Sequence, residues 1–339
     1  MKNLCWEREV SYAGRMDWKT SVLSGAIFSN TPLELLHEIG LSSILGPLSV
    51  IFHHLGSTAF FMALVSFIYL CVDRKVGIRM AFGLMVAGVL NGTCKALLEF
   101  PRPTGLPFSN ELGLSEPSFG FPSGHVQTAV VLYGTLFLHF KVGWLRGILP
   151  AFILLMPIAR MYAGLHFLGD VIGGFILGLL LLIGLEFWFK RNPDLLEAKF
   201  SDGKELPPNR LKSYVILIIA MTIPSVLLME GSRVDQSYHS WEVVVSSAGA
   251  LAGFGIGIVS NRSTGIDWNA GDNWMSFLVR IGITLLGILV FFIFLGELLK
   301  VLLPENPVAR YVRYGIVCYY ISHVSPFLLK RIKGGIYLL

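Results

Sequence analysis

The chain has 339 residues, of which 54% are hydrophobic and only 14% are charged, and its formal net charge at pH 7 is +5. Such a composition is typical of a polytopic membrane protein and not of a soluble domain. The positive charge follows the positions of Lys and Arg around membrane helices, so it requires no nucleic-acid partner.

Apolar runs of roughly 20 residues, the length that crosses a bilayer, predict nine membrane helices. They cover 57–73, 78–98, 126–140, 147–163, 167–189, 211–230, 242–260, 281–300 and 308–329. Residues 33–54 form either a tenth span or a helix in the interface, because His37, Glu38, His53 and His54 interrupt their apolar residues. The predicted fold is therefore all-α, a polytopic membrane helix bundle of about nine or ten transmembrane helices.

This pattern divides the chain into four regions. They are an N-terminal segment (1–56), a membrane bundle (57–190), a polar cytoplasmic loop (191–212) and a C-terminal region of four helices (213–339). The C-terminal region provides a lipid channel, a dimer surface or stability, and the sequence leaves these roles open. One polar group in it consists either of ordinary loop residues or of contacts to a lipid headgroup: Arg233, Asp235, His239 and Glu242.

The distribution of basic residues predicts the orientation of the helices. Short cytoplasmic loops are enriched in Lys and Arg, and most of these side chains flank one set of helix ends, such as Arg74 and Lys75. The opposite, extracytoplasmic side has only Arg233, Lys300, Arg310 and Arg313, apart from three further basic residues that break the rule: Lys95, Arg102 and Arg160. This exception predicts an anionic ligand on that side, although Lys95 and Arg102 alone could also be snorkelling from a helix end.

A loop, residues 104–120, leads into the stretch FPSGHVQTAVVL, which predicts the start of a helix. Ser123 can cap this helix, and the unpaired N–H groups of its first turn form a natural phosphate cradle. Gly124 leaves room for a ligand oxygen, and His125 lies beside it. Taken alone, the stretch is equally consistent with a serine-capped helix beside a surface histidine.

The third polar group lies in ARMYAGLHFLGD, residues 159–170. His166 and Asp170 are four residues apart and share a helix face, so the carboxylate can hold one imidazole nitrogen and leave the other free as a nucleophile. Arg160 offers a planar fork of donors to phosphate. On its own, the His–Asp pair could instead stabilise a helix end.

The three motifs in this order resemble those of the type 2 phosphatidic acid phosphatase superfamily, which includes lipid phosphate phosphatases, glucose-6-phosphatase and vanadium haloperoxidases. The pattern is Lys, six residues, Arg-Pro; then Pro-Ser-Gly-His; then Arg, five residues, His, three residues, Asp, and the resemblance covers about residues 57–190. The third motif of the family usually begins Ser-Arg, whereas this chain has Ala159-Arg160. That difference removes a hydroxyl and one expected hydrogen bond.

The resemblance implies a role for each matching residue. His166 attacks the phosphorus, Asp170 orients it, and His125 protonates the leaving oxygen and then activates water. The implied phosphate ligands are Lys95, Arg102, Ser123, Gly124 and Arg160. With so much fixed positive charge, we expect neither a metal nor another cofactor.

A site at the membrane surface suits a lipid phosphate whose tail stays in the bilayer. Phe108, Leu112, Leu114 and Phe119 of the loop either face acyl chains or pack the loop down. The alternatives are a soluble sugar phosphate, as in glucose-6-phosphatase, phosphotransfer to another alcohol and, in a different class, a transporter or flippase. We expect a multi-pass protein and leave open a homodimer; in a bacterium it would lie in the inner membrane, with its site facing the periplasm or the exterior.

Overall fold

The computed structural model describes Ser21 and residues 24–197, 208–230, 235–266 and 274–336. All regular structure in these ranges is helical. The predicted all-α fold is therefore confirmed for the described part of the chain.

Seven of the described helices precede the polar loop. They are α1 (Thr31–Glu38), α2 (Ser42–Leu55), α3 (Thr58–Phe67), α4 (Arg74–Leu98), α5 (Gly124–His139), α6 (Leu145–Tyr162) and α7 (Leu168–Arg191). A π-helical segment, Ile68–Val72, continues α3, and a single helical turn, Phe108–Glu111, lies in the loop between α4 and α5. Two short 3₁₀ segments, Ala26–Phe28 and Pro193–Leu196, flank this half.

Seven more described helices follow the polar loop. They are α8 (Pro208–Thr222), α9 (Pro224–Glu230), α10 (Asp235–Thr264), α11 (Trp274–Gly287), α12 (Leu295–Leu302), α13 (Pro307–Tyr319) and α14 (Ser325–Ile336). The break between α8 and α9 falls at Pro224, whose ring lacks the N–H that a continuous helix needs. π-Helical segments at Ile288–Phe294 and Tyr320–Val324 join α11 to α12 and α13 to α14.

Five helices in the described part of the chain are long and apolar enough to cross a membrane. They are Arg74–Leu98, Leu145–Tyr162, Leu168–Arg191, Gln236–Thr264 and Trp274–Leu302. A sixth span results if α2 and the Thr58–Val72 helix, which meet at 60°, form one broken span. The other apolar runs fall on shorter helices, such as α5 with 16 residues, so the count of nine or ten spans is not confirmed.

Parts of three predicted regions lie outside the described residues. These are residues 1–20 and 22–23 of the N-terminal segment, residues 198–207 of the polar loop, and residues 231–234, 267–273 and 337–339 of the C-terminal region. The division into four regions therefore stays a prediction.

Helix α5 organises the first half, because it packs against α4, α6 and α7. Its N-terminus lies close to α7, where a Cβ added at Gly174 would lie 2.5 Å from the carbonyl oxygen of Ser123. Only glycine permits this approach. The contact holds the helix that follows Pro122-Ser123 against the helix that carries Asp170.

The two halves share one hydrophobic core. Buried Phe61 and Met80 of the first half belong to the same cluster as Phe254 and Ile321 of the second. Helix α10 packs against both α4 and α13. The C-terminal helices are therefore part of the bundle that carries the motifs.

Candidate active site

Lys95 lies in the last turn of α4 and is buried. Its ammonium group donates to the carbonyl oxygen of Phe119 and lies 3.3 Å from Ser118 Oγ. This contact fixes the end of the loop over the end of α4. The predicted phosphate ligand thus lies inside the protein and not at a solvated helix end.

Arg102 connects the first motif with the third. Its guanidinium donates to the carbonyl oxygens of Ser118 and Leu165, both at 2.7 Å. The same Nη1 atom lies 3.2 Å from Nε2 of His166. Arg102 therefore lies beside the ring nitrogen that would attack phosphorus.

The His166–Asp170 pair has the predicted geometry. Nδ1 of His166 lies 3.2 Å from Oδ2 of Asp170, and both side chains are buried. The same oxygen accepts a hydrogen bond of 2.9 Å from the N–H of Phe167, which caps α7. The carboxylate is therefore fixed by the helix start, and with His166 donating through Nδ1, Nε2 carries the lone pair.

The surroundings of His166 favour its neutral form. Its ring lies in the turn between α6 and α7, where burial and the charges of Arg102 and Arg160 hold its pKa well below the usual value of 6.5. A neutral imidazole is the form that can act as a nucleophile.

The N-terminus of α5 differs in part from the prediction. Ser123 is the N-cap residue, but its hydroxyl makes no cap hydrogen bond, and its N–H, predicted to bind phosphate, donates instead to the carbonyl oxygen of Asp170 at 2.9 Å. The buried hydroxyl of Ser123 has no partner among the described residues. A Cβ at Gly124 would lie 3.1 Å from Asn91 Oδ1, so this glycine also permits a close contact within the protein.

Glu116 lies at the centre of these groups, and the sequence motifs did not identify it. Its carboxylate forms an ion pair with Arg160, lies 3.1 Å from Arg102 Nη2 and lies 3.4 Å from His125 Nδ1. Burial alone would raise the pKa of Glu116, but Arg160, His125 and Arg102 hold it well below the usual range. Glu116 is therefore an anion in the place where the motifs predict a phosphate; the signal in the sequence was an acidic residue in the loop between cationic motifs.

His53 is the second residue that the motifs did not identify. From α2, its Nδ1 lies 2.9 Å from Arg160 Nη1, and its ring stacks on that of His125 with centroids 5.4 Å apart. Segment 33–54 therefore contacts the site. In the sequence, His53 stands out only as a polar residue that interrupts an apolar run. The buried Nε atom of Arg160 has no hydrogen-bond partner among the described residues.

The apolar side chains of the loop mostly pack it onto the protein. Leu112 and Leu114 contact the turn at Ala163 and Leu165, and the ring of Phe108 stacks on that of His37 with centroids 3.4 Å apart. This arrangement agrees with the packing alternative and not with a surface that faces acyl chains.

Three residues of the site could in principle hold a metal ion. His53, Glu116 and His125 each offer one ligand atom, and these atoms lie within 4.8 Å of one another. However, the carboxylate of Glu116 also faces two arginines. Because these arginines repel a cation, the arrangement suits an anionic ligand better, and the absence of a metal requirement stays a prediction.

Taken together, the described contacts form a buried anion site beside an oriented histidine. Arg102 and Arg160 can present N–H groups to the oxygens of a phosphate. Nε2 of His166 lies beside Arg102, and Nδ1 of His125 lies 3.4 Å from the carboxylate of Glu116. This arrangement can support attack by one imidazole and proton transfer by another.

Two family models match different parts of the chain. The model described as PAP2 superfamily matches residues 76–194, and the model described as PAP2 superfamily phosphatase, transmembrane extension, matches residues 245–335. The first match contains all three motifs, and the second covers most of the C-terminal helices.

Several characterised proteins are similar to the chain. Phosphatidylglycerophosphatase B of Bacillus subtilis is 32% identical over 180 residues, which cover 49% of this chain and 73% of the relative. Undecaprenyl-diphosphatase of Sulfolobus acidocaldarius is 35% identical over 109 residues, 31% of this chain and 51% of the relative. Sphingosine-1-phosphate phosphatase 2 of Homo sapiens is 24% identical over 135 residues, 38% of this chain and 34% of the relative.

No solved structure matches the chain. The motif order, the site geometry, the two family models and the coverage of the Bacillus relative agree with one another. The chain therefore belongs to the PAP2 superfamily, the type 2 phosphatidic acid phosphatases that its three motifs resemble.

Proposed function

We propose that this multi-pass membrane protein is a metal-independent phosphatase that hydrolyses a phosphomonoester or pyrophosphate of a lipid through a phosphohistidine. One observation carries the proposal: Asp170 holds Nδ1 of a buried histidine whose Nε2 faces Arg102. A nucleophile, its orienting group and a cation for the phosphate thus lie side by side.

In the first step, Nε2 of His166 forms a bond to phosphorus while the bond from phosphorus to the lipid oxygen breaks. Asp170 stabilises the positive charge that develops on the ring. His125 enters this step protonated, gives that proton to the departing oxygen and becomes neutral. The products of this step are a phosphohistidine and a free lipid alcohol, or a lipid monophosphate when the substrate is a pyrophosphate.

In the second step, His125 takes a proton from water as the water oxygen attacks phosphorus. The bond between Nε2 and phosphorus breaks, which releases inorganic phosphate and restores His166. Lys95, Arg102 and Arg160 stabilise the equatorial oxygens in both steps. Because phosphate and carboxylate are both anions, the phosphate takes over contacts that Glu116 makes with the arginines.

The lipid substrate is supported by the relatives and by the surroundings of the site. Three of the relatives carry the names of phosphatases for phosphatidylglycerophosphate, undecaprenyl diphosphate and sphingosine 1-phosphate. A cavity lined by Lys95 and His125 also has an apolar lining that includes Phe61 and Phe254. A soluble sugar phosphate would gain nothing from that lining.

The proposed orientation places the site on the extracytoplasmic face. Lys95 lies at one end of α4, and Arg74, Lys75 and Arg79 lie at the other end, which the positive-inside rule assigns to the cytoplasm. In a bacterium the site would therefore face the periplasm or the exterior.

The first experiment measures phosphate release by the purified protein in detergent with a chelator present. The substrates are phosphatidic acid, phosphatidylglycerol phosphate, an isoprenyl pyrophosphate, sphingosine 1-phosphate and glucose 6-phosphate. We expect activity on a lipid and a loss of at least about 10³-fold in His166→Ala, because the nucleophile is removed. A preference for glucose 6-phosphate, or a loss of activity on chelation, would contradict the proposal.

The matched control is His139→Ala. His139 also pairs with a carboxylate, at 3.0 Å from Glu186, but it lies at the C-terminal end of α5, whereas His125 lies at the N-terminal end. We expect this variant to retain the activity of the wild type. Addition of glycerol or another alcohol, with product analysis, separates hydrolysis from phosphotransfer.

A further inference from the structure

A single cavity of about 390 Å³ joins the candidate active site to the C-terminal helices. Its lining includes Lys95, Glu116 and His125 of the first half and Glu242 and Arg310 of the second. Its volume lies within the range of roughly 300–1,000 Å³ that is typical of ligand pockets. Both halves of the chain therefore enclose a space that is lined by His125.

The relative position of the two walls is fixed by close packing of α4 against α10. A Cβ added at Gly92 would lie 2.7 Å from the carbonyl oxygen of Ser240. Gly88 lies one turn before Gly92 on α4, and it faces Ser247, which lies about two turns after Ser240 on α10. The two helices therefore run antiparallel. The N-terminal end of α10 thus lies beside the end of α4 that carries Lys95.

Part of the cavity is apolar, and both halves contribute to it. Its lining includes Phe61 and Met85 from the first half and Ala250, Phe254 and Ile321 from the second. Hydrocarbon that is buried there is stabilised because its apolar surface is removed from water. The chain of a lipid substrate is the part of the molecule that fits this surface.

A polar cluster interrupts the apolar wall near the start of α10. Glu242 forms an ion pair with Arg310, which lies near the start of α13. The carboxylate of Glu242 also accepts a hydrogen bond of 2.8 Å from Nδ1 of His239. Arg310 Nη1 also lies 3.4 Å from Ser246 Oγ. Of the four residues that the sequence grouped here, Arg233 lies outside the described residues, and nothing is described for the side chain of Asp235.

The cluster of Glu242, Arg310 and His239 favours an uncharged ligand group that can both donate and accept a hydrogen bond. The charges of Glu242 and Arg310 compensate each other, so the cluster has little attraction for a further net charge. The partly buried carboxylate of Glu242 can accept a hydrogen bond, whereas the guanidinium of Arg310 can donate one. A hydroxyl group satisfies both at once.

We propose that Glu242 and Arg310 bind a hydroxyl group of the lipid substrate while the apolar wall between the two halves holds its chain. This inference rests on the proposed function, and it makes the C-terminal helices part of the substrate site. The favoured substrates are lipid phosphates with a free hydroxyl, such as lysophosphatidic acid, phosphatidylglycerol phosphate or a sphingoid base phosphate.

The test compares two lipids that differ in one group. These are 1-oleoyl-lysophosphatidic acid and its 2-deoxy analogue, 3-oleoyloxypropyl phosphate. A hydrogen bond to a charged group contributes enough for a difference of roughly 10- to 100-fold. We therefore expect the wild type to hydrolyse the hydroxylated lipid with a kcat/KM higher by that factor.

The variant Glu242→Leu/Arg310→Met removes both charges together, so that neither is left buried without its partner. We expect the preference for the hydroxylated lipid to fall to about one in this double variant. The matched control is Glu186→Gln, because Glu186 also contacts an arginine and a histidine, Arg79 and His139, but near the other end of α4. This control should keep the preference of the wild type.

Equal hydrolysis of the two lipids by the wild type, or a preference that survives in the double variant, would overturn the inference. Binding to the inactive His166→Ala protein, measured as a thermal shift, gives a readout without turnover. A loss of turnover on every lipid would refute the proposed function. Stronger stabilisation by the hydroxylated lipid would still support the binding site, and equal stabilisation would contradict it.

Discussion

Glu116 is a central side chain of the candidate site, although it lies outside the three motifs. Its carboxylate contacts Arg102, Arg160 and His125, and so it occupies the position of an anionic ligand. In the proposed mechanism, a phosphate competes with Glu116 for the same arginines. A residue outside the three motifs would then set how strongly the site binds phosphate.

We expect Glu116→Gln to strengthen product inhibition by inorganic phosphate by roughly tenfold. The substitution removes one competing charge, and a tenfold change corresponds to about 1.4 kcal/mol. The measurement is the inhibition constant of phosphate. Glu111→Gln, in the same loop but away from the described ion pairs, is the control, and an unchanged or weaker inhibition in Glu116→Gln would contradict the prediction.

The inhibition constants of phosphate for the wild type and for Glu116→Gln also test the ionisation of Glu116. Its pKa is held well below the usual value of 4.5, so it stays charged and keeps competing when the pH falls from 7 to about 4.5. The ratio of the two inhibition constants should therefore stay constant over this range. A carboxylate with an ordinary pKa would lose its charge near pH 4.5, and the ratio would then approach one.

At the scale of elements, helix α2 and the loop between α4 and α5 complete the site from outside the three motifs. The sequence predicted where the apolar helices lie and which residues the motifs contribute. It did not predict that His53 would contact Arg160, because that contact joins residues far apart in the chain and has no spacing signal. Breaks such as the one at Pro224 also shortened helices that appeared in the sequence as continuous runs.

We expect His53→Ala to lower kcat/KM by roughly 10- to 100-fold, since Arg160 loses a hydrogen bond that holds its guanidinium. Because Arg160 keeps its ion pair with Glu116, activity should fall without disappearing. His53→Gln, which retains a hydrogen-bonding group, should recover part of the loss. The adjacent His54 is exposed, so His54→Ala is the matched control, and equal effects of the two alanine variants would refute a specific role for His53.

At the scale of the whole molecule, the C-terminal helices share their core with the helices that carry the motifs. The sequence left a channel, a dimer surface and a stabilising role open for them. Hydrophobic runs alone could not decide, because an apolar helix surface has the same composition against lipid, protein or a substrate chain. The close approach at Gly92 and the shared cavity emerge only from the packing of α4 on α10.

We expect Gly92→Ala to lower the thermal midpoint of the detergent-solubilised protein by several degrees. The added Cβ would lie 2.7 Å from a backbone oxygen of α10, and such overpacking typically costs about 1–3 kcal/mol. The control is Gly184→Ala, where a Cβ meets nothing within 4 Å and alanine favours the helix. If both variants melt alike, the tight contact between α4 and α10 is not supported.

The position of Glu116 also has a consequence for handling the protein. Without this carboxylate, Lys95, Arg102 and Arg160 would lie near one another with no counterion from the loop, and their repulsion would weaken the resting fold. Glu116→Gln should then depend on phosphate in the buffer, which would stabilise it by mass action in proportion to its occupancy. We therefore expect Glu116 to act as a counterion that stabilises the fold in the absence of substrate.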